Sequence, residues 1–474
     1  MGAALRSFKE LPTPPGMPWL GQTLQVRPAR MHQQLEQWAR DLGPYYRVQL
    51  GPEKLLVVGD HQAVSQLLRD RPDGFRRTPR LQKIWVEMGL PIGLFGANGE
   101  VWKRQRRMVM AGFDPAHVRS YFGSMQGVSE RLTGRWRKAA QAGASIDLQS
   151  DLMRYTVDTI AGLAFGAEVN TLESDADRIQ QHLDKLFPAV FERLLRPLPT
   201  WRWWPSRADR ELALSIVEIK AAVAGFIAQT RGRLQAQPEL RVHPRNLLEA
   251  MIAAADQPDS GIDDEQVAGN VLTMLLAGED TTANTLAWMI DLLWRNPATL
   301  QRARDEVRAA MAAPGGLDDV DRYAGLDFLE ACTQETMRLK PVAPAMPFQA
   351  LRDTVIGDVA VKAGTLIICL MRRDSVSETH VERAAAFEPE RWLAEGAGTV
   401  HSAKRISMPF GAGPRICPGR YLALLEIKMA MAALLGHFDI ESIGTPDGGP
   451  APERMAFTMA PVGLAMRLRE RLIN

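Results

Sequence analysis

Between Phe410 and Gly419 the chain reads Phe-Gly-Ala-Gly-Pro-Arg-Ile-Cys-Pro-Gly, and this run holds the residue best placed to do chemistry, Cys417. Glycine at 411 and 413 permits tight turns and close approach to a flat ligand. Arg415 stands where it can meet a carboxylate. Pro418 suits the first turn of a helix, where its missing N–H would have no partner in any case. A sulfur at a helix start feels the positive end of the dipole and nearby N–H donors, which favour thiolate over thiol. The competing reading is an inert buried cysteine ahead of a helix. Cys332 and Cys369 have no such setting, and the three cysteines lack the short spacings of a disulfide framework or a Cys-x-x-Cys metal site.

Three further clusters stand upstream. Ala277, Gly278, Glu279, Asp280, Thr281 and Thr282 fall in the middle of the longest helical pattern. Small residues there let a flat group approach the helix, and the acid–alcohol pair Asp280–Thr281 can relay protons. Gly278 costs a helix about 1 kcal/mol relative to alanine, so it needs a reason. Glu335 and Arg338 stand at i,i+3, with Pro389, Glu390, Arg391 and Trp392 some fifty residues on. Trp102 and Arg106 stand at i,i+4, so an indole N–H and a guanidinium project the same way, suited to carboxylates. Lys103, Arg104 and Arg107 form a basic face around them.

The run ending at Cys417 resembles the haem-binding loop of the cytochrome P-450 family, F-x-x-G-x-R-x-C-x-G, at every specified position. The other clusters resemble that family's acid–alcohol helix, E-x-x-R, P-E-R-F and W-x-x-x-R elements, in the family's order. The resemblance implies a mainly α fold with small β-sheets, a triangular helical prism enclosing haem b. It implies Cys417 as thiolate ligand of the iron, and Trp102, Arg106, Ala277, Gly278, Phe410, Arg415 and Gly419 as cofactor-binding residues. It implies Asp280 and Thr281 as the catalytic pair that manages protons, and Glu335, Arg338 and Arg391 as a structural ion network. The activity implied is insertion of one atom of O2 into a hydrophobic organic substrate, as hydroxylation or epoxidation. Electrons would come from a separate ferredoxin or flavodoxin-type donor with its reductase, docking on the basic helix. The alternatives are a peroxide-driven or isomerase-type haem-thiolate enzyme and a haem-binding sensor. Two departures stand out: Trp392 replaces the commoner Phe, and Gln349 occupies a strand where many members carry a basic propionate partner. Arg76 and Arg77 could bind a carboxylate, but the expectation is a solvated pair.

The elements that must position these groups follow from periodicity. Met31 to Leu42 reads as a helix. Tyr46, Val48 and Leu50 alternate with polar residues, turn at Gly51-Pro52 and resume to Val58, a strand pair. Residues 60 to 345 are predominantly helical, with the longest helix from Asp264 to about Trp294 and Asp263 as its N-cap. Strands return at Thr354–Ile356 and Thr365–Leu370, a last long helix follows Cys417, and short strands close the chain. The segment from Pro197 to Pro205 reads as a stiff connector, which by the resemblance acts as a lid; Trp201, Trp203 and Trp204 are expected to pack beneath it, the alternative being contact with a membrane surface. By the resemblance the substrate pocket draws on Ile84, Trp85, Met88, Leu90, Ile92, Leu94, Phe95, Ala345, Met346, Phe348, Phe457 and Met459. All are apolar, which implies a hydrophobic substrate.

No linker or repeat divides residues 1–474, so one haem domain without a fused reductase is expected. Charges nearly cancel, 57 Lys+Arg against 55 Asp+Glu, which argues against bulk nucleic-acid binding. No run of about 18 apolar residues opens the chain, so a cytoplasmic protein without a membrane span is expected.

Overall fold

The computed structural model describes residues 5–113, 115–166, 170–173, 178–196, 198–393 and 402–471. The helices that bear on the site are α1 (Met31–Leu42), α2 (His61–Arg69), α3 (Gly99–Gly112), α4 (Leu148–Phe165), α5 (Leu186–Leu195), α6 (Arg207–Ala236), α7 (Asp264–Arg295), α8 (Asp327–Leu339) and α9 (Arg420–His437). The strands are β1 (Tyr45–Leu50), β2 (Glu53–Val58), β3 (Phe75–Arg76), β4 (Ala345–Ala350), β5 (Leu366–Leu370), β6 (Phe438–Gly444), β7 (Glu453–Ala456), β8 (Thr458–Pro461) and β9 (Ala465–Glu470). A five-stranded sheet runs β1-β2-β5-β4-β3; β7 and β8 form a separate antiparallel hairpin, and β9 joins β6 to the short strand Ile146–Asp147. The fold is mainly α with small sheets, as the sequence predicts.

Helix α7 is the spine. The Asp263 carboxylate caps it, accepting the Gln266 N–H at 2.7 Å, while the Gln266 amide reaches Asp263's side chain and not its backbone. Val267, Val271, Leu275, Leu286 and Met289 are fully buried along it. Each such side chain contributes roughly 1.5–3 kcal/mol, so their burial outweighs the cost of Gly278 severalfold. That glycine has a structural reason: a Cβ on it would lie 3.1 Å from Ile160 of α4. It permits the close approach of α4, where Thr156 also donates to the Glu279 carbonyl at 3.0 Å.

Two buried charge networks tie the helices to the irregular segments. Arg338 and Glu335 of α8 are fully buried and bonded twice at 2.8 Å. Arg338 also donates to the carbonyls of Ser375, Ala384 and Ala386, and Glu335 accepts from Arg391 and from the Trp392 indole at 2.8 Å. Trp392, the departure from the commoner Phe, therefore adds a donor. Elsewhere Arg372 bonds Glu36 of α1 and Glu453 of β7, and Glu453 also accepts from His32 and Lys340. This second network pins one leg of the β7–β8 hairpin.

Of the connector, Pro197 lies outside the described residues. Trp203 and Trp204 are 58% and 77% exposed, and Trp201 lies under the Arg193 guanidinium at 5.3 Å. The expected packing beneath a lid is not found for Trp203 and Trp204. No helix among the described residues is long and apolar enough to cross a membrane.

Candidate active site

Cys417 lies three residues ahead of α9, in a loop closed by its own N–H donating to the Phe410 carbonyl at 3.0 Å. Gly411 and Gly413 both have positive φ, +75° and +70°. A Cβ on Gly413 would lie 2.6 Å from the Arg69 backbone, so this glycine seats the loop on the end of α2. Cys417 is exposed, yet the protein around its sulfur pushes the thiol's pKa up. With the arginines near it Cys417 forms a candidate cleft, Arg106 acting on both Cys417 and Arg415. The Gly419 N–H and the charges of Arg106 and Arg420 pull in the opposite direction, toward thiolate. Cys332 and Cys369 are fully buried, and burial holds both as thiols.

The cleft carries a concentration of positive charge. Burial lowers the pKa of Arg77 far below its ordinary value, and repulsion from Arg71 and Arg415 lowers it further. Arg415 is brought to about 9 by burial and by Arg71 and Arg106, and Arg71 to about 10 by burial. Among the described residues no carboxylate acts on Arg77 or Arg415, and the buried Nε of Arg77 has no partner. Arg415 donates to the carbonyls of Leu94 and Ala97 and lies over the buried Trp102 ring at 4.9 Å. Uncompensated buried cations are costly, so the site is built for an anion that completes it. A flat group bearing two carboxylates and bound by a thiolate fits this donor set.

Arg77 thus corrects the sequence expectation of a solvated pair. Its neighbour Arg76 donates to Gln349 at 2.7 and 2.9 Å across the β3–β4 pairing. The basic residue missing at Gln349 is replaced from the adjacent segment: Arg71 and Arg77 both lie over the Phe348 ring, at 4.7 and 5.7 Å. Sequence reasoning passed over Arg71 altogether, because a lone arginine before a proline carries no signal. Arg352 is exposed and pairs with Asp70, away from the cluster. On α3, Lys103 is exposed but held by Glu100 at 2.7 Å, so the basic face is partly neutralised there; Arg107 is exposed.

Above the cleft lies an apolar cavity of about 530 Å³, lined by Ala277 and Thr281 of α7 among others. Trp85, Ile92, Phe95, Ala345, Met346 and Phe457 line it as expected. Ile84, Met88, Leu90, Leu94, Phe348 and Met459 are instead buried in the core. The sequence missed the contribution of α5, with Phe187, Phe191, Leu194 and Leu195, and that of β1, β2 and β5 through Leu50, Leu55, Leu366 and Ile368. The segment before α3 is fixed against α7 glycine to glycine. A Cβ on Gly93 would fall 2.1 Å from the Gly269 carbonyl, and the Leu94 N–H donates to Asn270 at 2.9 Å.

A second, polar cavity of about 330 Å³ adjoins the first and shares Phe187, Leu276 and Thr458 with it. Asp280, Glu279, Asp184, Gln149 and Arg454 line this one. Asp280 and Thr281 therefore face different cavities. Thr281 donates to the Ala277 carbonyl at 2.6 Å, leaving its oxygen lone pairs toward the apolar side. Asp280 accepts from Asn284 at 2.8 Å and from the Thr458 hydroxyl. Burial raises its pKa, and those two donors oppose the rise.

The Cytochrome P450 family profile matches residues 11–467. The chain belongs to the cytochrome P450 family. It is 26% identical over 411 residues to Protein LUTEIN DEFICIENT 5, chloroplastic, of Arabidopsis thaliana, covering 84% of this chain and 67% of that one. It is 27% identical over 476 aligned positions to the mitochondrial 25-hydroxyvitamin D-1 alpha hydroxylase of Homo sapiens, covering 95% and 90%. A self-sufficient cytochrome P450 monooxygenase of Oidiodendron maius is 27% identical, and the chain spans 40% of its length. The crystal structure of the cytochrome P450DA heme domain superposes with a TM-score of 0.85 at 24% identity, over 99% of both chains, which establishes the fold. A P450 of this family is a haem-thiolate monooxygenase whose cofactor is haem b bound through a cysteine thiolate. Cys417 is the cysteine that opens on the cleft.

Proposed function

We propose that this P450 hydroxylates or epoxidises a hydrophobic organic compound held in the 530 Å³ cavity, with electrons from a separate ferredoxin or flavodoxin-type donor. The observation that carries the reading is the order of the parts: an apolar cavity walled by Ala277 and Thr281, and an acid behind that wall in a polar cavity of its own. Haem, when bound by Cys417, supplies the activation of O2, and the thiolate favours O–O cleavage. Trp102, Arg106, Arg415 and the Phe410–Gly419 loop, joined by Arg71 and Arg77, would hold it. The apolar walls exclude water and orient the compound by shape. Asp280 takes protons from the polar side and Thr281 presents a hydroxyl on the apolar side, so protons reach the reacting centre without bulk water. Residues 1–474 would act as one haem domain, with the donor docking on the face that bears Arg107 and Lys103.

Thr281→Ala tests the reading. Compound binding, read as the spin-state change of the Soret band, should be unaltered, while product formed per electron consumed falls severalfold and hydrogen peroxide rises. Full product per electron in this variant contradicts the assigned role. A peroxide-driven or isomerase-type enzyme would give product with no electron donor present.

A further inference from the structure

The tip of the β7–β8 hairpin joins the two cavities. Phe457 is one of three non-glycine residues with positive φ among those described, at +89°. A bulky residue held there stores strain, which persists only when its surroundings impose it. The imposing contacts are aromatic: the ring stacks on Phe187 of α5, 4.6 Å between centroids and 5° between planes, and leans on Phe95 at 5.8 Å. The next residue, Thr458, is buried and turns the other way, its hydroxyl donating to Asp280.

Both legs of the hairpin are fixed behind this tip. Glu453 is held by Arg372, His32 and Lys340. The Met459 N–H donates to the Val342 carbonyl at 2.8 Å, and the Met459 carbonyl accepts from the Trp288 indole at 3.3 Å. Freedom to move is therefore confined to Phe457 and Thr458, one residue in contact with the apolar cavity and one with the acid.

We propose that this tip is a coupling element: a compound filling the apolar cavity presses Phe457 off Phe187, the strained backbone relaxes, and the Thr458 hydroxyl withdraws from Asp280, so that proton uptake at Asp280 follows occupancy. Thr458 is then a positioning residue, acting through Asp280. The inference rests on the reading of Asp280 as a proton carrier given above.

The electrostatics have the required sign. The donors Thr458 and Asn284 stabilise the charged form of Asp280, while burial opposes it. Loss of one donor leaves burial less opposed, and the carboxylate takes a proton. Facing it are Arg454 of β7, Glu279 on its own helix, and Asp184 just ahead of α5; Asn284 is itself held by Gln149 of α4 at 2.7 Å. Burial and the Asp280 charge raise the Asp184 carboxyl to about 6, so it exchanges protons readily just below neutral pH. The transfer is balanced: the proton leaves the Asp184 carboxyl for the Asp280 carboxylate, and Asp184, exposed on its outer side, is refilled from solvent.

The test reads protonation and not turnover. In haem-loaded protein the infrared carbonyl stretch of Asp280, identified by its loss in Asp280→Asn, is titrated with pH in the native chain and in Thr458→Val, Thr458→Ser and Phe187→Ala. Haem content and the carbon monoxide spectrum serve as the folding control. Thr458→Val should move the midpoint to higher pH and Thr458→Ser should return it. Phe187→Ala touches neither partner of the hydrogen bond, yet should move the midpoint in the same upward direction, because the stack that holds the tip is gone. An unmoved midpoint in Thr458→Val overturns the positioning role. A shift in Thr458→Val without one in Phe187→Ala overturns the coupling. Undiminished turnover in Asp280→Asn, by contrast, retires Asp280 as the proton carrier and leaves the midpoints as measured.

Discussion

Around Cys417 the site is assembled by neighbours in sequence: ten residues from Phe410 to Gly419 close on themselves through one backbone hydrogen bond and seat on α2 through Gly413. Around Asp280 it is assembled by strangers: α7 supplies the acid, the hairpin tip supplies Thr458, and α4 and the segment before α5 supply Gln149 and Asp184. The first arrangement needs particular residue types at particular spacings, because φ, N–H count and charge are local properties. The second needs distant segments to arrive together, each bringing a donor or an acid that no local spacing announces. One side of the molecule is therefore written as a motif and the other as packing.

The contrast can be broken most forcefully at the network behind the thiolate loop. Arg338→Ala removes the doubly bonded partner of the buried Glu335 and leaves it only Arg391 and its N–H donors, which costs about 3–5 kcal/mol for breaking a buried pair. Denaturant unfolding should show a lower midpoint and the purified protein should have lost haem, whereas Thr458→Val should do neither. Equal losses in both would dissolve the distinction.

Arg77→Leu sharpens it further, because a cation that serves a cofactor and a cation that serves the fold respond oppositely. Removing this desolvated and repelled charge should raise the thermal midpoint of the haem-free chain. It should also speed haem loss to an acceptor protein roughly tenfold, as expected when a charged hydrogen bond worth about 1.5–3 kcal/mol is lost. A drop in both would make Arg77 structural.

The sequence made the helices, the strand pair and the thiolate loop legible because each follows from local periodicity, capping or turn chemistry. It misjudged Arg77, on whose buried charge Arg71 and Arg415 converge from separate segments. Half of the twelve residues it named for the pocket line the cavity, and it missed α5, since an apolar face on one helix looks the same whether it meets core or cavity. Trp203 and Trp204 failed in the reverse sense, apolar yet exposed.

A smaller effect distinguishes the helix that follows the loop. Glu426 of α9 is fully enclosed, and burial raises its carboxyl to about 8, with a hydrogen bond from Thr282 opposing. The ordinary value is 4.5, so the folded chain holds a proton that the unfolded chain releases. Stability from this group is complete below pH 4.5 and is lost as pH rises toward 8. Glu426→Gln should flatten that decline in unfolding free energy measured across this window; a slope equal to the native one would mean that Glu426 is already ionised at neutral pH.

The smallest effect expected lies at Pro418. The Gly419 N–H reaches Cys417, and a proline at 418 has no N–H to offer beside it. Pro418→Ile should add a donor to the sulfur, weaken its donation to iron and raise the reduction potential in a spectroelectrochemical titration. An equal or lower potential with haem retained would show that this position does not tune the iron.

Every role proposed for the site depends on Cys417. The reduced, carbon monoxide-bound protein should show the Soret band of thiolate-ligated haem, and Cys332→Ser and Cys369→Ser should both keep it. Cys417→His should abolish it while the chain remains folded. Persistence of that band in Cys417→His, or its loss in either of the other variants, would contradict the assignment.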